Sequence, residues 1–355
     1  MQLRSTSMPL PAIPLIDRES QSWQEQLQNS FRTPLALAAE IGIELKDLPY
    51  SLDAQEEFPL LVPHAFAARI KRGDPRDPLL RQVLASRDEL VVGQGFGDDP
   101  VGEVERSSGD TAVIKKYQGR ALLVLTGQCA VNCRYCFRRH YPYEEQRQST
   151  RERDATLNQL LDDDGLKEII LSGGDPLVLP DKSIARIFEL VETRRPDITL
   201  RIHSRLPIVI PDRISDSFLA LVGASKLKLV VVLHANHPQE IDHGVVRAIG
   251  ALKHHGVLVL NQSVMLAKVN DDSSVLAELN DRLFAAGALP YYIHLLDRVA
   301  GAVHFEVEEV RAQKILGELA ECRPGYLVPK LARELAGADS KRELPPLYGE
   351  LNSCG

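Results

Sequence analysis

Short apolar runs alternate with amphipathic stretches along the chain from about residue 112 onward. The apolar runs are continuous, as expected of parallel strands that are buried on both faces. They cover residues 121–126, 168–172, 198–203, 227–234, 257–263 and 291–296. Stretches with helical periodicity lie between them, at 183–194, 214–222, 240–255 and 273–286. The pattern predicts an α/β fold with six β/α units that form an open, partial barrel.

The first 95 residues show helical spacing and no strand-like runs. Trp23, Leu27 and Phe31 recur every four residues, which places them on one face of a predicted helix. Residues 96–100 contain glycine and proline and predict a linker. We therefore divide the chain into an N-terminal helical segment (1–95), a partial barrel (96–320) and a C-terminal tail (321–355).

The loop after every predicted strand carries polar or glycine residues. In parallel α/β folds the chemistry lies in the loops at the carboxyl ends of the strands, so these loops are the expected site. In chain order they contain three cysteines, the glycine-rich residues 172–176, His203 with Arg205, His234, Gln262, and His294 with Asp297. One histidine at a strand end is more often structural, but six polar loops in phase favour a shared site.

Cys129, Cys133 and Cys136 lie within eight residues. A reducing compartment keeps such thiols free, and neighbouring thiolates suit a soft metal ion or an iron–sulfur cluster. A cluster of four irons held by three cysteines has one open iron, which can bind a substrate or cofactor. A structural zinc ion held by the three cysteines and His140 is the alternative from this stretch alone.

Gly173, Gly174 and Asp175 follow the second predicted strand. Two glycines let the backbone approach a ligand closely, and their carbonyls can accept from an ammonium group. With Pro176 the same residues also form an ordinary turn, so their position is what favours a binding role.

Composition narrows the classes of function. The chain has 355 residues and a net charge of −7, without a basic tail, which argues against a nucleic-acid partner. No apolar run approaches the roughly 20 residues needed to cross a membrane. The N-terminus lacks the apolar core of a signal peptide. We therefore expect a cytoplasmic protein with neither a nucleic-acid nor a membrane partner.

The spacing Cys-x3-Cys-x2-Cys, with Tyr135 before the last cysteine, resembles the radical S-adenosylmethionine enzymes. In that superfamily the open iron binds S-adenosylmethionine, which is cleaved to a 5′-deoxyadenosyl radical. Further signatures at 171–176, 204–207, 234–238, 261–271 and 290–297 resemble the lysine 2,3-aminomutase family. The resemblance runs from about residue 116 to 348 and is greatest to the short bacterial branch that serves modification of translation elongation factor P.

This resemblance implies a 4Fe–4S cluster, S-adenosylmethionine and pyridoxal 5′-phosphate as cofactors. It implies Lys341 as the catalytic lysine that holds pyridoxal phosphate as a Schiff base, through the match of residues 325–341, so that 321–355 is a pyridoxal-binding tail. On the sequence alone Lys341 can equally be an exposed tail residue, and Lys330 is the nearest rival. The family's glycine run before this lysine is reduced here to Gly337.

The resemblance also implies binding roles for particular side chains. Arginine recognises phosphate through two parallel hydrogen bonds, which favours it at the phosphate of pyridoxal phosphate. The residues implied there are Arg120, Arg205 and, in place of an arginine, Lys116. His234 and Gln262 are implied for S-adenosylmethionine, beside Gly173, Gly174 and Asp175. Arg138 is implied for the substrate carboxylate, and Asp297 and Glu334 for the ε-ammonium group of lysine.

The implied reaction converts L-α-lysine to (R)-β-lysine. The implied partners are a ligase that attaches β-lysine to elongation factor P, and a reductant protein such as flavodoxin or ferredoxin. Two alternatives stay open: an aminomutase acting on another amino acid such as glutamate, and a non-catalytic, zinc-stabilised binding protein. Longer family members carry a zinc-binding extension, whereas this end has only Cys354, so we expect no zinc and a smaller oligomer than a tetramer, such as a homodimer.

Overall fold

The computed structural model describes residues 21–106, 112–115, 118–143, 148–338 and 340–349. The predicted phosphate ligand Lys116 and the terminal Cys354 lie outside these residues. None of the helices in these ranges is both long enough and apolar enough to cross a membrane.

One open sheet of nine strands organises the described chain, with the strands in sequence order. The strands are β1 (Val113–Ile114), β2 (Arg120–Thr126), β3 (Glu168–Gly173), β4 (Thr199–Ser204), β5 (Lys228–Leu233), β6 (Leu258–Met265), β7 (Leu289–Leu295), β8 (Lys330–Arg333) and β9 (Arg342–Leu344). Strands β2 to β8 pair in parallel. The edge strands β1 and β9 pair antiparallel. The open, parallel-dominated sheet confirms the predicted fold class.

The six predicted strands correspond to β2 through β7, each within a few residues of the expected bounds. A seventh parallel strand, β8, and the edge strand β9 come from the region predicted as a tail. Both belong to the sheet, so the count of six parallel strands is too low by one. The division of the chain at residues 95 and 320 stays a prediction.

Helices connect the strands and cover the sheet. They are α7 (Thr150–Leu161), α8 (Asp181–Arg194), α9 (Leu206–Val209), α10 (Asp216–Ala224), α11 (His243–His254), α12 (Ser273–Ala286) and α13 (Glu309–Cys322). In α8 the buried residues Ile184, Ile187, Phe188 and Val191 recur at helical spacing, which gives one apolar face. The four predicted helical stretches correspond to α8, α10, α11 and α12, whereas α7, α9 and α13 were not predicted.

The N-terminal segment is helical, as expected, but its helices are short. They are α1 (Trp23–Gln28), α2 (Pro34–Ile41), α3 (Leu52–Glu57), α4 (His64–Ala67), α5 (Pro78–Arg81) and α6 (Glu103–Arg106). Short 3-10 turns at Leu45–Asp47 and Arg87–Leu90 separate some of them. The prediction that Phe31 shares a helix with Trp23 is wrong, because α1 ends at Gln28. Phe31 exchanges two backbone hydrogen bonds with Val62 instead, at 2.8 and 3.0 Å.

The N-terminal segment packs directly on the loop that carries the cysteines. The backbone N–H of Asn132 donates to the Leu61 carbonyl at 3.1 Å, and that of Arg134 to the Gln82 carbonyl at 2.8 Å. The predicted linker is also anchored, since Gly97 exchanges backbone hydrogen bonds with Arg298 and Ala300. These contacts fix the N-terminal segment to the cysteine loop and the linker to the loop after β7.

Candidate active site

The cysteine loop leaves the carboxyl end of β2 and is tied to the loop after β3. The N–H of Gly174 donates to the Thr126 carbonyl at 2.7 Å, and that of Asp175 to the Gln128 carbonyl at 2.8 Å. Within the loop, the Cys136 N–H donates to the Cys133 carbonyl at 3.0 Å. Cys129, Cys133 and Cys136 are free thiols of intermediate exposure. The loop therefore presents three sulfurs on a backbone held from two sides.

Ionising all three cysteines is unfavourable without a bound cation, because the negative thiolates repel one another. Burial raises the pKa of Cys129 well above its usual range, and the neighbouring Cys136, Asp175 and Cys133 raise it further. Burial and then Cys133 raise the pKa of Cys136 to about 11. A bound metal centre reverses this effect and holds cysteine as thiolate. Three mutually coupled thiols therefore fit a 4Fe–4S cluster.

A single-ion zinc site is not formed by these side chains. Among the described residues no three His, Cys, Asp or Glu side chains converge on one ion. His140, the proposed fourth ligand, has its Nε2 atom 3.9 Å from an Asp98 carboxylate oxygen.

The glycines after β3 are required by the close approach of two loops. A Cβ on Gly174 would overlap the Gln128 carbonyl oxygen, and one on Gly173 would overlap the Thr126 carbonyl oxygen. Gly173 also has φ of 119°, a region that favours glycine. Its carbonyl is not free, because it accepts from Arg138 Nη1 at 3.0 Å. The glycines thus shape the cysteine loop, and their contact with S-adenosylmethionine stays a prediction.

Asp175 holds the loop after β4. Its carboxylate accepts from Ser204 Oγ at 2.7 Å and from the backbone N–H groups of Leu177, Arg205 and Leu206. Burial raises its pKa, although these four hydrogen bonds oppose the shift. The structure gives Asp175 a supporting role in the site, and its predicted cofactor contact remains untested.

Arg138 lies beside the cysteines in a buried ion pair. Its Nε and Nη2 atoms donate to the two Glu103 carboxylate oxygens, at 2.6 and 3.0 Å. Nη1 donates to Ser172 Oγ at 3.0 Å and to the Gly173 carbonyl. Burial lowers the pKa of Arg138, but the Glu103 carboxylate outweighs burial and raises it overall. The implied substrate clamp therefore already holds a carboxylate from its own chain.

Lys341 points toward the end of β7 rather than into solvent. Its Nζ lies 3.3 Å from His294 Nε2, 3.7 Å from a Glu334 carboxylate oxygen and 5.1 Å from the centre of the Tyr292 ring. Its side chain is 23% exposed. Lys330, its rival, is 57% exposed and pairs with Glu343 at 2.8 Å. Lys341 is therefore the less exposed of the two candidates for the Schiff-base lysine, and it lies beside His294 and Tyr292.

Three cationic side chains, Arg138, Arg201 and Lys341, lie around His203, and each is paired with a carboxylate of the chain. His203 has a pKa well below its usual range, because it is buried and because Arg201, Lys341 and Arg138 are near. Burial and Lys341 lower the pKa of His294 in the same way. Both imidazoles are therefore neutral at physiological pH, which avoids further positive charge.

Arg201 was missed by the sequence analysis, although an arginine inside an apolar strand is a recognisable signal. It is 8% exposed, and its Nη2 donates to a Glu168 carboxylate oxygen at 2.7 Å. Arg120 Nε lies 3.9 Å from the same oxygen. Within the described part of the chain, Arg201 Nε and His203 Nε2 are buried without a hydrogen-bond partner. These orphaned nitrogens are suited to a phosphate that the chain itself does not supply.

The other predicted residues divide between the cluster loop and the Lys341 side. Arg205, expected at the phosphate, donates from Nη1 to Cys133 Sγ at 2.7 Å. His234 Nε2 lies 2.9 Å from Tyr135 Oη, and burial followed by Arg205 lowers its pKa to about 3. Gln262 Nε2 lies 3.5 Å from His203 Nδ1. Asp297 follows β7, and Glu334 lies directly after β8.

Comparison with known proteins agrees with this geometry. The profile of the Radical SAM superfamily matches residues 123–279. L-lysine 2,3-aminomutase of Haemophilus influenzae is 42% identical over 341 residues, covering 96% of this chain and 99% of its own. The enzyme of Escherichia coli is 43% identical over 325 residues, covering 91% and 94%. That of Clostridium subterminale is 30% identical over 336 residues, covering 94% and 80%. The chain is therefore an isomerase that belongs to the L-lysine 2,3-aminomutase family of radical SAM enzymes.

Proposed function

We propose that the chain converts L-α-lysine to (R)-β-lysine with pyridoxal phosphate bound at Lys341. The observation that carries the proposal is the position of Lys341, between Glu334, His294 and a group of buried cations. Membership of the family implies a 4Fe–4S cluster, S-adenosylmethionine and pyridoxal phosphate. When bound, these supply the radical and the electron delocalisation that 1,2-amino migration requires.

Arg120 and Arg201 are the residues we propose for the pyridoxal phosphate group. Arg201 is buried and has an unpartnered Nε, and both arginines approach the Glu168 carboxylate. A phosphate dianion gives this pair of guanidinium groups a second acceptor through bidentate hydrogen bonds. Neutral His203, with its own unpartnered Nε2, lies near Arg201 and supplies a further donor or acceptor.

Lysine is held by a charge at each end in this proposal. Arg138 receives the α-carboxylate, and Asp297 and Glu334 receive the ε-ammonium group. Four of the five N–H groups of Arg138 donate to Glu103, Ser172 and Gly173, so among the described residues one N–H on Nη2 is left to receive the α-carboxylate. Fixing both ends keeps the reacting carbons still and excludes water from the radical, which is the protein's main contribution.

The biological role we propose is to supply β-lysine to a ligase that modifies elongation factor P. The similarity to the relatives of Haemophilus influenzae and Escherichia coli supports it, since the chain covers 99% and 94% of their lengths. A low-potential reductant protein, such as flavodoxin or ferredoxin, delivers the electron to the cluster. Thiolate ligands and a reducible cluster suit a reducing compartment such as the cytoplasm.

Chemical trapping tests the Lys341 assignment. Purified protein is loaded with pyridoxal phosphate, reduced with borohydride, digested and mapped by mass spectrometry. The reduced pyridoxyl group is expected on Lys341, and Lys330→Arg is the matched control that leaves labelling unchanged. Labelling that follows Lys330, or that persists in Lys341→Arg, contradicts the proposal.

A further inference from the structure

A buried polar network lies against Cys133, and Arg205 is at its centre. Arg205 follows β4 directly, and its side chain is 7% exposed. Its Nη1 atom donates to Cys133 Sγ at 2.7 Å and to Tyr135 Oη at 2.5 Å. Its Nη2 atom donates to Gln82 Oε1 at 2.7 Å and to Glu240 Oε2 at 2.9 Å. One end of the guanidinium therefore faces the sulfur, and the other faces an amide and a carboxylate.

Hydrogen bonds from residues other than Arg205 also hold the Glu240 carboxylate in place. It is fully buried, and its Oε1 accepts from the backbone N–H of Asn236 at 2.9 Å and of His237 at 3.1 Å. Gln82 Nε2 donates to the same oxygen at 3.2 Å. A buried charge is stable only when it is paired and hydrogen-bonded, and Glu240 meets both conditions. The carboxylate therefore holds the Arg205 charge in place beside the sulfur.

Gln82 extends this network into the N-terminal segment. It follows α5 directly and is fully buried. Its Oε1 also accepts from Asn236 Nδ2 at 3.0 Å. Arg205 further lies over the rings of Phe66 and Tyr135, with its Cζ 5.5 and 5.7 Å from their centres. These contacts hold the guanidinium from several directions, so it is preorganised rather than mobile.

We infer that Arg205 is a positioning residue for the iron–sulfur cluster, which donates to the Cys133 sulfur and raises the reduction potential of the cluster. The inference rests on the proposed assignment of the three cysteines as cluster ligands. A hydrogen bond to a ligand sulfur and a nearby positive charge both stabilise the more negative, reduced cluster. The step concerned is a one-electron reduction by an external low-potential donor, and no covalent bond changes in it.

An EPR-monitored redox titration with dithionite tests this inference. The variant is Arg205→Gln combined with Glu240→Gln, because replacing both keeps the buried network neutral. We expect at least a tenfold fall in the equilibrium constant for reduction, which lowers a one-electron midpoint by about 59 mV. The control is Arg213→Gln with Asp181→Asn, an ion pair of a fully buried arginine and a partly exposed carboxylate, whose arginine donates to the Leu177 carbonyl instead of a sulfur. This control is expected to keep the wild-type midpoint.

An unchanged midpoint in an Arg205 variant that retains its iron and sulfide overturns the inference. If the double variant folds but binds no iron, Arg205→Met combined with Glu240→Gln is titrated instead, since methionine fills the buried space and loses both the charge and the donors. A lowered midpoint there supports the inference, and a wild-type midpoint overturns it. Wild-type protein that binds no iron and sulfide contradicts the cluster assignment itself, which separates the two failures.

Discussion

Replacing Glu103 by glutamine removes the carboxylate that pairs with Arg138. Both partners are buried, with side chains 4% and 8% exposed, and two hydrogen bonds of 2.6 and 3.0 Å join them. Breaking a buried ion pair costs about 3–5 kcal/mol, because it leaves a buried charge without compensation. Glutamine keeps one acceptor and similar volume, so we expect Glu103→Gln to lower the free energy of unfolding by about 3 kcal/mol.

Lysine should restore much of this stability, because its α-carboxylate replaces the missing negative charge at Arg138. Urea unfolding is measured on the cofactor-loaded protein with and without L-lysine. A ligand at about 100 times its dissociation constant stabilises the native state by about 2.7 kcal/mol. We expect the lysine-dependent gain to be larger in Glu103→Gln than in the wild type.

Glu89→Gln is the matched control. Glu89 is also buried and pairs with Arg134 at 2.6 Å and with Arg139 at 3.1 Å, but these pairs lie between the cysteine loop and the N-terminal segment. We expect a comparable loss of stability without an enhanced response to lysine. Equal lysine responses in the two variants, or a Glu103→Gln protein within about 1 kcal/mol of the wild type, would refute the reasoning about Arg138.

Three further predictions follow from the same geometry. Gly174→Ala should reduce the iron bound per chain after reconstitution, because the added Cβ overlaps the Gln128 carbonyl. Gly250→Ala is the control and should bind iron as the wild type does, because the space around Gly250 is open. Glu334→Gln should raise the KM for lysine by about tenfold or more, because it loses a charge-assisted hydrogen bond of about 1.5 kcal/mol or more. An unchanged KM in steady-state assays contradicts the proposed contact of Glu334 with the ε-ammonium group. Burial lowers the pKa values of His203 and His294 in the folded state, so below about pH 6.5 the unfolded chain binds protons that the native state does not. The free energy of unfolding should therefore fall as pH decreases below about 6.5, by up to about 1.4 kcal/mol per pH unit for each of these histidines. Urea unfolding at pH 7.5 and 5.5 measures this loss, and His294→Gln should diminish it; an equal loss in the variant counts against the assignment.

Local patterns predicted the sheet well where they were strong. Strands β2 to β7 are apolar runs in the sequence because both faces of each are covered, and α8 and α12 carry an apolar stripe at helical spacing. Strand β8 escaped prediction because its four residues, Lys330–Arg333, have a cation at each end. Its place in the sheet depends on pairing with β7, which no local pattern shows.

The candidate site was predictable in its motifs but not in its pairings. The three cysteines and Lys341 are recognisable from spacing and resemblance. The Glu103–Arg138 pair joins residues 35 positions apart, and Arg205 reaches Glu240 across the same separation. Such contacts depend on tertiary packing, so the sequence could not show that Arg205 lies against Cys133 and that Arg201 lies near His203.

Turnover of lysine is the most direct test of the central claim. Anaerobically reconstituted protein is given L-lysine, S-adenosylmethionine, pyridoxal phosphate and dithionite, and the products are separated by chromatography, with Cys133→Ala, Lys341→Ala and Lys330→Ala in parallel. We expect β-lysine from the wild type and Lys330→Ala, and none from the other two variants. Cleavage of S-adenosylmethionine without β-lysine, or turnover of glutamate in place of lysine, would contradict the assigned substrate. Zinc without sulfide in an inactive protein would contradict the radical mechanism.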